Sequence, residues 1–459
     1  MIDVYKKNKL IIAILSGILI GFSYPPFNLG FLIWIGFVPL IIYNFYDNNL
    51  SSKNFINFVT AFVAFSIIIH WVATNNGTSL SIAILSYILL VIYYSFFFVL
   101  MGIIFHYLNV RFKIFLFPFL FTLMEIARSV GPLAGPWLNL SLTQSNYIHY
   151  LQMVSIQKDI LTFIIILANT FIAQFFITRK REWAFSFLFV IISVNLIGRL
   201  ILFNQDLKIL DKSVTVSIVQ PSILPQDKWD QTIFEENNLI LDSLSRESLS
   251  KNPDFIVWPE TAITTPVSSQ SVSMIFRNSF NFNGATFITG VPELSISDNS
   301  YNYFNSALVV TPERKYDFYR KIFLVPFAEY VPFFGNLVTR INRLDSIGSF
   351  SKGQEYKVFE SEDLKFSVMI CYDSSSPKIV QQFKKLGAEF IFILTNDAYV
   401  SDAMAHQHFL LARIRAVEQR IPIIQSGNHG ISGVILSTGK ILTKTNLFER
   451  KTLTTQVFY

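Results

Sequence analysis

Up to about residue 210 the chain runs as long apolar stretches parted by short polar loops; beyond it the rhythm shortens abruptly. Seven stretches stand out: Leu10–Tyr24, Gly30–Tyr46, Phe55–Val72, Leu80–Phe105, Ile114–Ala127, Ile160–Ile177 and Trp183–Phe203. About 20 apolar residues at 1.5 Å rise each cross a bilayer core, so the pattern predicts about seven transmembrane helices, the first and fifth short. A cleavable signal peptide is the alternative for the first stretch, but six more follow and no small-residue cleavage site stands out. From Asp211 to Tyr459, strand-like runs fall at Val214–Val219, Phe255–Trp258, Thr286–Thr289, Ala307–Val310, Phe366–Ile370, Phe390–Leu394, Pro422–Gln425 and Gly433–Leu436. Helix-like runs at Gln231–Leu249, Lys378–Leu386 and Ala403–Gln419 separate some of them. Strands divided by helices predict an α/β domain with a largely buried sheet. The chain is thus expected to hold a membrane domain over 1–210 and a second domain over 211–459.

Charge orients the first half. Lys6, Lys7, Lys9, Lys53, Arg111, Lys113, Arg179, Lys180 and Arg181 lie in one set of loops, and only Arg128 and Lys158 in the alternate set. Nine basic residues against two place the first set in the cytoplasm. Seven crossings then put everything after Phe203 outside. Composition agrees: 52% of residues are hydrophobic, 47 are Phe and only 15% are charged, where soluble domains carry about 25% charge. A soluble, disordered or small secreted chain is disfavoured. The net charge of +6 is not gathered on one predicted face, which argues against a nucleic-acid partner. A single cysteine, Cys371, rules out an internal disulfide and a Cys-based metal cluster.

That cysteine follows an apolar run and precedes a Ser-rich turn and a helix, a junction where helix N–H groups favour thiolate; a buried small hydrophobe is the plain alternative. Glu260 ends the run Phe255-Ile256-Val257-Trp258-Pro259, either as a poorly solvated carboxylate or as a helix cap. Lys321 sits among aromatics in Tyr319–Phe327, as a site cation or a snorkelling surface lysine. His406-Gln407-His408 has metal-like spacing, but residues two apart on a helix do not face one site. Trp229 and Phe333–Phe334 are candidates to line an apolar binding surface, or simply packed aromatics. Glu125 and Arg128, near a span end, are functional or a mutual ion pair.

Taken in order, Trp258-Pro259-Glu260, then Lys321 with Pro326-Phe327-Ala328-Glu329, then Cys371-Tyr372-Asp373 resemble the Glu-Lys-Cys triad of the nitrilase superfamily. With the apolar half ahead of it, the whole chain resembles the apolipoprotein N-acyltransferase family, integral-membrane nitrilase relatives that add the third acyl chain to bacterial lipoproteins. Local matches are Gln220, Pro225-Gln226-Asp227-Lys228-Trp229, Thr395-Asn396-Asp397-Ala398, Arg413–Glu418, Glu125–Arg128 and Gly135-Pro136-Trp137.

The resemblance implies a multi-pass α-helical membrane domain followed by an αββα nitrilase-like sandwich. In it Glu260 takes the thiol proton and Cys371 attacks an ester to form a thioester. Lys321 and the Tyr372 N–H would face the oxyanion, Glu329 would orient Lys321 or the incoming amine, and Trp229 would bind substrate. It implies no metal and no cofactor. The donor would be a phospholipid and the acceptor the N-terminal amine of a diacylated apolipoprotein, with a monomer in the bacterial inner membrane and its catalytic domain facing the periplasm. The competing reading is a membrane-tethered amidase using the same triad on a soluble substrate, which needs one anchor rather than seven. A transporter or receptor with an inert outer domain is disfavoured, because all three triad residue types are present.

Some positions depart from the family pattern. Ala328 stands where Gly is usual, Asp373 where Glu follows Cys-Tyr, Ala398-Tyr399-Val400 for Ala-Trp-Phe, and Asn428-His429-Gly430 for a doubled Asn. The family usually ends in another span, for which Thr452–Tyr459 leaves no room.

Overall fold

A computed structural model describes residues 8–108, 112–207, 212–269, 271–272, 282, 284–297, 300–331 and 350–459. The chain packs as two compact units, Met1–Lys208 and Ile209–Tyr459.

The first unit is helical: α1 (Lys9–Phe22), α2 (Val38–Tyr46), α3 (Leu50–Ile68), α4 (Leu80–Tyr107), α5 (Lys113–Arg128), α6 (Ile160–Thr178) and α7 (Arg181–Asp206). Among the described residues, α3, α4, α6 and α7 are long and apolar enough to cross a bilayer. The first and fifth runs make helices of 14 and 16 residues. The second is broken into a 3-10 turn, Gly30–Leu32, and two short helices. Leu85, Leu89 and Phe96 on α4, and Phe185, Phe189 and Leu200 on α7, are exposed. Apolar surface of that extent marks a face built for lipid. Glu125 and Arg128 do form an ion pair, at 3.6 Å, and it is buried. Glu125 also accepts from Thr162 Oγ1 (2.5 Å) and Leu140 N (3.0 Å), while Arg128 donates to the Leu138 carbonyl at 2.7 Å. These bonds satisfy the irregular backbone between α5 and α6, which lipid could not do.

The second unit stacks two six-stranded sheets. The first has the order β12-β1-β2-β3-β4-β5 and the second β11-β10-β9-β8-β7-β6. The strands are β1 Ser213–Gln220, β2 Phe255–Val257, β3 Thr286–Ser297, β4 Ser300–Val310, β5 Tyr316–Arg320, β6 Phe359–Ser361, β7 Leu364–Ile370, β8 Phe390–Thr395, β9 Ile423–Gly427, β10 Gly433–Ile435, β11 Ile441–Lys444 and β12 Lys451–Phe458. Alternation along β2 shows how the layers arise. Phe255 and Val257 point into the core shared with Phe366, Val368 and Phe390 of the other sheet, whereas Ile256 and Trp258 join Leu241 of α8 (Phe234–Leu249). Phe383 of α9 (Pro377–Lys385) and Phe409, Ala412 and Ala416 of α10 (Asp402–Gln419) close over the second sheet. The αββα class expected of the fold is therefore present.

Several strands were not legible as apolar runs. β3 and β4 form a hairpin about three times as long as its apolar kernels, paired from Phe287↔Val310 outward. β5 and β12 are the edges of the first sheet, and edge strands keep a polar face. β12 pairs antiparallel with β1 from Ser213↔Phe458 to Gln220↔Lys451, its Thr and Val side chains supplying the β-branched pattern.

Candidate active site

Glu260 lies three residues past β2, Lys321 directly after β5 and Cys371 directly after β7. β2 and β3 are parallel, and two antiparallel steps through β4 return β5 to the same direction. Glu260 and Lys321 therefore leave the same end of one sheet. In the other sheet β7, β8 and β9 are parallel, so Cys371, Asn396 and Asn428 leave one end together.

The side chains converge. Lys321, only 1% exposed, donates to Glu329 Oε1 at 2.8 Å and stands 3.5 Å from Glu260 Oε1. Asn305 of β4 donates from Nδ2 to both carboxylates, at 2.8 Å to Glu260 and 2.9 Å to Glu329. The remaining oxygen of Glu260 accepts from Asn396 N at 3.0 Å, and that of Glu329 from Val325 N at 2.8 Å. One ammonium thus sits between two carboxylates whose other lone pairs are occupied, the condition under which buried charge is tolerable. Burial alone would lower the Lys321 pKa, but the Glu329 and Glu260 charges outweigh it and hold the ammonium well above the usual lysine range.

Cys371 opens a five-residue 3-10 turn with φ +45°, a left-handed conformation that costs a non-Gly residue about 1 kcal/mol. The expected shift toward thiolate is reversed. Burial pushes the thiol well above its ordinary value and the Glu260 charge adds to that, with Lys321 opposing. At rest the site holds a thiol, a carboxylate and an ammonium.

Asp373, the departure after Cys-Tyr, is fully buried. Its Oδ1 accepts from Ile322 N (3.2 Å) and Phe323 N (2.7 Å), its Oδ2 from Tyr319 Oη (2.8 Å) and Ile370 N (3.2 Å). It ties the segment carrying Lys321 to the turn carrying Cys371. Burial raises its carboxyl to about 6 although Lys321 pulls it down. The Tyr372 ring stacks on Phe323, centroids 5.0 Å apart. Trp229 is 53% exposed, and its Nε1 donates to Tyr399 Oη at 2.8 Å. Phe333 and Phe334 lie outside the described residues.

Three further residues matter here that the sequence did not single out for this site. Asn305 is one. Lys228 is another: it is buried, donates to the Glu260 carbonyl at 2.9 Å, and burial lowers it to about 8 against the pull of Glu260. Close approach reinforces that hold, for a Cβ on Gly290 would stand 2.3 Å from Thr261 N and 2.6 Å from Glu260 Cα. The third is His408. His406 is half-buried, with Nδ1 2.8 Å from the Asp402 carbonyl, while His408 is fully buried, so the two histidines do part company. His408, however, is buried against the Cys371 turn, with Nδ1 2.9 Å from Asp397 Oδ1. Cys371, Asp397 and His408 each offer an atom within 4.8 Å of the others, a spacing a metal ion could span. Both His408 nitrogens are engaged by oxygens, which makes this a hydrogen-bonded cluster.

The geometry has parallels in known proteins. Residues 215–458 match the carbon–nitrogen hydrolase family, and residues 16–171 match the N-terminal domain of apolipoprotein N-acyltransferases. The apolipoprotein N-acyltransferase of Geobacter metallireducens is 28% identical over 99% of this chain and 90% of its own length. Apolipoprotein N-acyltransferase 2 of Treponema denticola is 31% identical, over 75% and 70%. The Aquifex aeolicus apolipoprotein N-acyltransferase is 28% identical, over 95% and 96%.

Proposed function

This chain belongs to the apolipoprotein N-acyltransferase family, whose C-terminal half is a carbon–nitrogen hydrolase domain, and on that premise we propose that Glu260, Lys321 and Cys371 carry its acyl transfer. The enzyme moves an acyl chain from a phospholipid, through a Cys thioester, to the N-terminal amine of the diacylglyceryl-cysteine of an apolipoprotein. The observation that carries the site assignment is Lys321 clasped by Glu260 and Glu329, with its charge and that of Glu260 acting on the Cys371 thiol.

Because the resting nucleophile is a thiol, its proton leaves as it attacks. Glu260 accepts that proton while Sγ bonds to the ester carbonyl carbon. The oxyanion that forms is faced by Lys321 and the Tyr372 N–H. Collapse breaks the ester C–O bond, and the lysophospholipid oxygen takes the proton back from Glu260. In the second half-reaction the acceptor amine adds to the thioester, its proton passes to Glu260, and the C–S bond breaks as the amide forms. Reprotonation restores the thiol. Glu329 and Asn305 hold Lys321 and Glu260 in place throughout. Trp229 contacts the acyl chains, a role supported by its exposure and its tether to Tyr399.

Phospholipid carrying a labelled acyl chain, incubated with the purified full chain, should leave a hydroxylamine-sensitive label on the protein. A protein that stays unlabelled while hydrolysing a soluble amide would favour the amidase reading instead.

The protein is a membrane protein, and we place it in the inner membrane with its N-terminus cytoplasmic, domain 211–459 in the periplasm, and seven crossings between. The asymmetry of loop charge supports this. A tag after Tyr459 should be cleaved by protease added to intact spheroplasts; protection there would overturn the orientation.

A further inference from the structure

We propose that His408, paired with Asp397, is a positioning residue that sets the oxyanion donor by pinning the peptide between Cys371 and Tyr372. The inference rests on Cys371 being the nucleophile and deepens that reading.

The hydrogen bonds at His408 define its state. Nδ1 faces Asp397 Oδ1 at 2.9 Å. Nε2 faces the Cys371 carbonyl at 3.2 Å and Ser374 Oγ at 2.9 Å. The Ser374 hydroxyl itself donates to that carbonyl, at 2.8 Å, so its oxygen is left to accept from Nε2. Both ring nitrogens therefore meet acceptors, and both carry protons. Burial works against a charged ring, but the Asp397 carboxylate and its hydrogen bond outweigh burial and raise the imidazole above its ordinary value. The result is a buried ion pair with its donor aimed at one carbonyl.

That carbonyl is a consequential one. A trans peptide is planar, so its N–H points opposite its C=O. Holding the Cys371 oxygen fixes the direction of the Tyr372 N–H, the donor that faces the oxyanion. Cys371 is in the left-handed region, φ +45°, where the backbone has a reason to relax. Two hydrogen bonds to its oxygen oppose a flip of the peptide. Asp397 and His408 are close to neutral as a pair, so their first effect is on geometry rather than on the thiol.

Two reactions of Cys371 separate those effects. Thioester formation passes through an oxyanion; alkylation by iodoacetamide is a displacement at carbon and does not. His408→Asn keeps a donor near the Nδ1 position and loses the one at Nε2. His408→Gln places an amide N–H near Nε2. On the full chain in detergent, with phosphatidylethanolamine bearing a labelled acyl chain, His408→Asn should slow thioester formation about 100-fold. The loss should fall on kcat with KM little changed, while alkylation at pH 8.5 should fall far less, only as far as the unpaired Asp397 charge raises the thiol. His408→Gln should recover most of the thioester rate. Wild-type thioester formation in His408→Asn, or an equal fall in both reactions, would overturn the proposal. Should His408→Asn fail to fold, Ser374→Ala removes the other bond to the same carbonyl. It should cost about tenfold in thioester formation, here with alkylation unchanged because no charge is lost, and no loss there would also overturn it. Absence of any acyl label on Cys371 in the unaltered protein would instead sink the reading on which this rests.

Discussion

Cys371→Ala is expected to abolish acyl transfer, by a factor on the order of 10⁶, with the label from phospholipid absent from the protein. The fold should survive, because alanine keeps the Cβ that already tolerates φ +45° at this position, and only a small, half-buried side chain is lost. No second thiol exists to take over, Cys371 being the single cysteine. Cys371→Ser should be nearly as inactive, since a carboxylate base generates an alkoxide far less readily than a thiolate. The raised thiol carries a pH signature of its own. Burial and the Glu260 charge keep the thiolate fraction small at neutral pH, so alkylation of the unaltered protein should rise about tenfold per pH unit between pH 7 and 9. Acyl transfer retained in Cys371→Ala would end the thioester mechanism.

The residues that were legible beforehand share one property. Glu260 and Cys371 each break an apolar run that ends at the edge of a buried sheet, and a polar group there stands out against its background. Lys321 and Glu329 were marked by an aromatic-rich stretch and by resemblance. Asn305 had no such mark. It lies inside a hairpin strand, opposite Pro292 in register, and becomes part of the site only because β5 delivers Lys321 beside it. His408 shows a different limit. Helical spacing rightly separates it from His406, but spacing along one helix is silent on what the opposite face packs against. Asp373 repeats the lesson: one methylene shorter than glutamate, it turns inward and serves four donors from two segments. The helical half was readable because lipid demands long apolar runs. The polar bonds that hold its irregular stretch after α5 depend on chain folding that no local pattern records.

Glu260 and Lys321 should fail in different ways, and the difference assigns their roles. Glu260→Gln keeps the size of the side chain and can keep one accepted bond from Asn396 N or Asn305, but it cannot take a proton. Thioester formation should fall by about 10³-fold, within the range for a lost general base, and little labelled protein should accumulate even at long times. Lys321→Met removes the donor to the oxyanion in both half-reactions, so each should slow by about 10²- to 10³-fold. That variant also leaves Glu260 and Glu329 facing each other without their cation, a loss of about 3–5 kcal/mol in a buried pair. Lys321→Met/Glu329→Gln removes one of the two charges and should restore much of the stability without restoring rate. Thermal unfolding alongside single-turnover labelling reads the two effects apart. Labelling of Glu260→Gln at the wild-type rate would show that the proton leaves by another route. Glu329 would then be the next base to test, since its Oε1 shares both Lys321 and Asn305 with Glu260.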